Sequence, residues 1–153
     1  MDSRTDRLME FLATEGYRPS LRAGGDIVFK HDGGLYVIWP DPNDEQYLQI
    51  AFPNFWPLKT EAEATRAFRA ANRATINTKA AKVIVLKEYG DVWALVEFFA
   101  DGTAQFEATF GRILAALRFA VRVFGDQMRA SEPLGDERIA LARGEVTRFQ
   151  HGN

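Results

Sequence analysis

Eight apolar side chains, Phe106, Phe110, Ile113, Leu114, Leu117, Val121, Phe124 and Met128, recur every three or four residues in the second half of this chain. That spacing puts them on one stripe of a helix over residues 103–128, and a stripe of this length must be buried against something. The sequence just upstream supplies the partner. AAKVIVLKE and VWALVEFFA are apolar runs rich in β-branched and aromatic residues, separated by Tyr89-Gly90-Asp91, and they read as a hairpin. Taking Gly90-Asp91 as a two-residue turn pairs Tyr89 with Val92, Lys87 with Ala94, Val85 with Val96 and Val83 with Phe98. Those residues share a face that is apolar except for Lys87. The other face carries Lys82, Ile84, Leu86, Glu88, Trp93, Leu95, Glu97 and Phe99, too greasy for solvent and too charged for a core. Burial under the third helix and use as a dimer or partner surface both remain open for it.

The rest of the chain follows the same logic. Leu8, Phe11 and Leu12 give an amphipathic helix over residues 4–15, which Gly16 stops. Strands at 26–31 and 34–40 flank Asp32-Gly33, a dipeptide suited to a type I′ turn because both central residues need positive φ. Tyr47 to Phe52 alternates as a half-buried strand, and Pro53 and Pro57 bracket a loop holding Phe55 and Trp56. A second helix starts at Thr60, where Glu63 completes a capping box; Ala64, Ala67, Phe68, Ala71 and Ala74 form its packing side, and Asn77 closes it. The order α-β-β-β-α-β-β-α predicts an α+β fold with a mainly antiparallel five-stranded sheet packed with helices. Residues 1–130 form one domain, and 131–153 a partly ordered C-terminal extension.

Several chemistries find no support. Cysteine is absent from the 153 residues, which removes thiolate metal sites, disulfides and Cys nucleophiles and suits a cytoplasmic location. A net charge of −2 offers no positive field for nucleic acid, and the arginines of the second and third helices read as solvated stripes. The polar start Met1-Asp2-Ser3-Arg4 predicts no secretory signal, and no window is apolar enough for a membrane span. His31 and His151 lack a second ligand at helical spacing and read as ordinary solvent-exposed residues. Asp41, Asn43 and Glu45 resemble a calcium loop only until Gln46 stands where glycine is needed. Gly24-Gly25 and Gly33-Gly34 are turn glycines rather than a phosphate loop, and Glu88 and Glu97 have Lys82 and Lys87 at hand as ion-pair partners. No catalytic group, cofactor site or metal site is expected.

Ala71-Asn72-Arg73 and Ile76-Asn77 closing the second helix, then Lys82-Val83 opening an apolar hairpin, resemble the YbjN-like proteins, named as bacterial sensory transduction regulators. The Glu15-Gly16-Tyr17 turn followed by Asp26-Ile27-Val28-Phe29 fits the same pattern. The resemblance covers residues 5–128 and extends in fold to the class I type III secretion chaperones. It implies a non-enzymatic cytoplasmic homodimer that binds a polypeptide segment of a partner in a chaperone-like or regulatory role, without nucleic acid or membrane. The alternative is a small-ligand-binding sensory regulator whose pocket lies between the third helix and the sheet, with Asn72 and Glu97 as its polar groups. The partner or dimer surface is expected at Ile84, Leu86, Trp93, Leu95 and Phe99, with Phe55 and Trp56 as a second patch unless their loop folds back onto the core, the commoner use of a loop aromatic.

Overall fold

The computed structural model describes residues 3–131. Its elements are α1 (Ser3–Thr14), β1 (Ser20–Leu21), β2 (Ile27–His31), β3 (Gly34–Pro40), β4 (Tyr47–Phe52), α2 (Glu61–Asn77), β5 (Ala81–Leu86), β6 (Asp91–Phe99) and α3 (Ala104–Ala130). The expected extension from 132 onward, with His151, lies outside the described residues. The strands form one antiparallel sheet in the order β1-β2-β3-β4-β6-β5. The sheet therefore has six strands, not five. The extra one is the two-residue β1, which pairs with Val28 and Ile27 and is too short to show alternation in the sequence. Among the described residues no helix is long and apolar enough to cross a membrane.

Local chemistry sets most boundaries as expected. Gly16, at φ 92°, ends α1; its N–H donates to the Ala13 carbonyl and that of Tyr17 to the Leu12 carbonyl, satisfying two carbonyls of the last turn. Asp32 and Gly33 both take positive φ, 49° and 77°, in the turn that joins β2 to β3. Thr60 caps α2 by accepting from the Glu63 N–H at 3.1 Å. The return half of the capping box does not form, because the Glu63 carboxylate turns to the Lys59 N–H and the Trp56 indole instead.

Three local expectations need correction. α2 does end at Asn77, but not through a left-handed turn there: Asn77 stays helical, with its amide donating to the Arg73 carbonyl, and positive φ falls at Ala80. Phe68 leaves the packing side of α2, whose buried residues are Ala64, Ala67, Ala70, Ala71 and Ala74. The β5–β6 turn is longer than two residues: Lys87–Tyr89 coil into a 3-10 turn, Gly90 follows at φ 67°, and Leu86 pairs with Asp91 and Val83 with Ala94. Lys87, Glu88 and Tyr89 thus leave the strands. The pairing moves by an even number of residues, so the faces of the hairpin survive the change.

All three helices contribute to a core on one side of the sheet. Ile27, Phe29, Tyr36, Ile38, Leu48, Ile50, Val83, Val92, Ala94 and Val96 meet Leu8 and Leu12 of α1, the alanines of α2, and Phe106 through Met128 of α3. The alanine face brings α2 close against both α3 and β5.

Candidate functional site: the helix-free face of the sheet

Strand alternation sends the other half of the side chains away from the helices. A row runs across that face from Val28 to Val37, Ala51, Leu95 and Lys82, each paired with the next on the neighbouring strand. Val37, Ala51 and Leu95 are buried, yet they stand outside the core beneath the helices. A pair of tryptophans covers them. Trp39 lies two residues beyond Val37 on β3, and Trp93 two residues before Leu95 on β6, so they flank Ala51 on opposite diagonals. Their indoles stack at 5.5 Å with 4° between the planes. The methyl of Ala51 is small enough for the rings to meet above it. The Trp93 Nε1–H donates to Asn54 Oδ1 at 2.8 Å, and Asn54 reaches that place at φ 53°, a conformation asparagine tolerates.

Around this roof the face is mixed. Ile84, Leu86 and Trp93 are half-buried with no helix of the described residues above them, Leu95 is buried beneath its neighbours, and Phe99 is 75 % exposed. The Tyr47 ring lies 5.8 Å from that of Phe99, and its hydroxyl donates to Glu97 at 2.5 Å. Glu97 is also paired with Lys82. The Lys82 ammonium, followed by the Tyr47 hydrogen bond, holds the Glu97 carboxyl below the usual carboxylate range. Burial, then the hydrogen bond to Glu97, pushes the Tyr47 phenol from 10.0 up to about 12. Glu88 is not beside Glu97, because it sits in the 3-10 turn; Lys87 pairs with Glu61 at 2.9 Å.

The five hairpin residues named from the sequence are brought together on this face, whereas Phe55 and Trp56 are not. Both point to the helix side, half-buried, with rings 5.3 Å and 5.5 Å from Phe124. They close the core below the loop. Trp39, Val37, Ala51 and Tyr47 were missed, although alternation within their own strands already put them opposite Ile38 and Ile50. What local pattern could not give was the placement of β3 and β4 beside β6.

Where β5 stops at Ala81, β6 continues to Phe99, and a groove of about 360 Å³ opens between that overhang and α3. Val96, Phe98, Phe99, Ile113 and Ala116 make its walls largely apolar, with Arg112 and Glu97 among its polar groups. Asn72 does not line it. Among the described residues no three His, Asp or Glu side chains gather in a way that could hold a metal ion. Comparison with known proteins gives no matching family model and no matching curated protein.

Proposed function

We propose that this protein is a non-catalytic binding module that acts as a cytoplasmic homodimer and engages a polypeptide segment of a partner, in a chaperone-like or regulatory role. One observation carries the reading. A sheet with three helices on one side leaves the apolar residues Ile84, Leu86, Trp93 and Phe99 on the other with no layer over them among the described residues. Such faces are common sites of association when aromatic residues lie among them. The adjoining groove at the end of β5 extends the apolar surface toward α3 and suits an extended chain segment. The two sheet edges differ in the same sense: β1 is two residues long and follows Pro19, whereas β5 is six residues long and carries one charge, Lys82. Along it the Ala81 N–H is taken by the Lys79 carbonyl and the Val83 N–H by Thr75 Oγ1 at 3.0 Å, which leaves the part toward Leu86 for pairing with another strand. The YbjN-like resemblance points the same way.

The test uses light scattering after gel filtration together with fluorescence anisotropy against a permanently unfolded polypeptide, reduced and carboxymethylated α-lactalbumin. The expected result is a dimer that binds this probe, with Trp93→Glu weakening binding by roughly thirtyfold, as for an aromatic hot spot. Ile84→Glu, on the edge strand, serves as a second variant should Trp93→Glu perturb the fold. A monomer whose folded variants bind the probe as well as the parent removes the reading.

A further inference from the structure

A second cleft lies on the helix side, where the β2–β3 turn meets the middle of α3. It holds about 220 Å³ and is lined by His31, Asp32, Tyr36, Phe52, Arg118 and Arg122, among others. Its floor is aromatic: Tyr36 stacks on Phe52 at 4.9 Å. Gly34 makes this approach possible, since a Cβ there would stand 2.4 Å from the Phe52 ring. Its wall is cationic. Arg122 lies over the Phe119 ring at 5.3 Å and has no carboxylate partner among the described residues. His31 is not the plain surface histidine expected from the sequence. It is wedged between Tyr17 and Tyr36 with Nδ1 3.2 Å from the Tyr17 hydroxyl, and its Nε2 has no hydrogen-bond partner among the described residues.

The cleft already holds one carboxylate, its own. Arg118 Nη2 meets Asp32 Oδ2 at 2.6 Å, but both side chains are more than half exposed, so this pair is weak and easily exchanged. With Asp32 neutralising one guanidinium, the second leaves the cleft with a positive charge that no carboxylate among the described residues compensates. Glu15 and Glu107 line a separate cleft on the other side of His31 and Arg118, which keeps an anion on the Arg122 side.

We propose that this cleft binds a small monocarboxylate, its carboxylate held by Arg118 and Arg122 and a short apolar body resting against Tyr36 and Phe52, and that Asp32 occupies the carboxylate position when the ligand is absent. Planar guanidinium forks match the paired oxygens of carboxylates and phosphates alike, and it is the aromatic lining of Tyr36 and Phe52 that favours a carboxylate with an apolar body over a bare inorganic anion. A volume below the roughly 300–1,000 Å³ of drug-sized sites limits the body to a single ring or a short chain. The site shares no residue with the helix-free face, so failure of peptide binding there leaves it standing.

The probe is benzoate, with neutral benzamide as its isostere, titrated into the full chain while backbone amides are followed by NMR. Benzoate is expected to shift the Asp32–Gly34 amides and those of α3 around Arg118 saturably, and benzamide is not. Arg118→Gln and Arg122→Gln should each weaken benzoate by about tenfold, the loss of a charge-assisted bond. Asp32→Asn keeps a residue that tolerates positive φ in the turn and should tighten benzoate by about two- to fivefold. Equal binding of benzamide, unchanged affinity in both arginine variants, or no gain in Asp32→Asn overturns the proposal. A purely structural Arg118–Asp32 pair would lower the melting temperature in both single variants and leave benzoate unbound.

Discussion

Between Val37 and Leu95 on the helix-free face the chain places Ala51, and the indoles of Trp39 and Trp93 close over it. The stack depends on that methyl-sized floor, because Ala51 is fully buried and any longer side chain has to lift the rings. Ala51→Leu is therefore expected to destabilise the protein by about 1–3 kcal/mol, the usual cost of overpacking. Urea unfolding measures the loss, and near-ultraviolet circular dichroism reports the broken indole stack. A variant with unchanged midpoint and unchanged aromatic spectrum would show that the rings do not need Ala51. The asymmetry of the three tryptophans also belongs to this scale. Trp56 faces Phe124 and donates to Glu63, while Trp39 and Trp93 serve the other side of the sheet. Nothing in Phe55-Trp56 between two prolines says which way the loop folds, whereas Trp39 and Trp93 sit in alternating strands whose parity does.

At the scale of elements, α2 begins where the sequence places it because its cap is local: Thr60 Oγ1 and the Glu63 N–H are three residues apart. Thr60→Ala should cost about 1 kcal/mol, measured as a lower urea midpoint; no change would mean that Glu63, which also holds the Lys59 N–H at 2.9 Å, anchors the helix start alone. The β5–β6 turn behaves differently. The Leu58 N–H donates to the Gly90 carbonyl at 2.8 Å, and the Gly90 N–H to the Lys87 carbonyl. The turn is thus shaped partly by a loop far upstream in sequence, which the local dipeptide Gly90-Asp91 cannot reveal. The faces of β5 and β6 were readable all the same, since a face depends on odd and even positions and not on the length of the turn.

For the whole molecule, the helix-free face ends in a small charged network that ties three strands together: Tyr47 on β4, Glu97 on β6 and Lys82 on β5. Its contribution varies with pH at both ends. Glu97 is held below its ordinary value, so the folded state binds its proton less readily than the unfolded chain; that stabilisation is full above the unfolded value and fades as pH falls through the folded one. Tyr47 is raised from 10.0 to about 12, so its contribution is full below 10.0 and fades as pH climbs toward about 12. Glu97→Gln should flatten the acid limb of a urea-midpoint profile against pH and reduce the alkaline limb only in part, since burial is the larger cause of the Tyr47 shift; an acid limb as steep as that of the parent would refute the assignment. Secondary-structure order apart from β1, the antiparallel hairpins, the apolar stripe of α3 and the two faces of β5 and β6 were determined by the sequence, because periodicity, turn residues and caps act over a few neighbouring positions. Tertiary structure decided the sheet order, with β4 beside β6 and β5 at the edge, and hence which side the helices cover. The same is true of the Trp39–Trp93 roof and the Arg118–Asp32 contact, which join residues 54 and 86 positions apart. Such contacts form only when the whole chain has selected which apolar face to bury, a choice made by the sum of packing over many residues and by no local pattern.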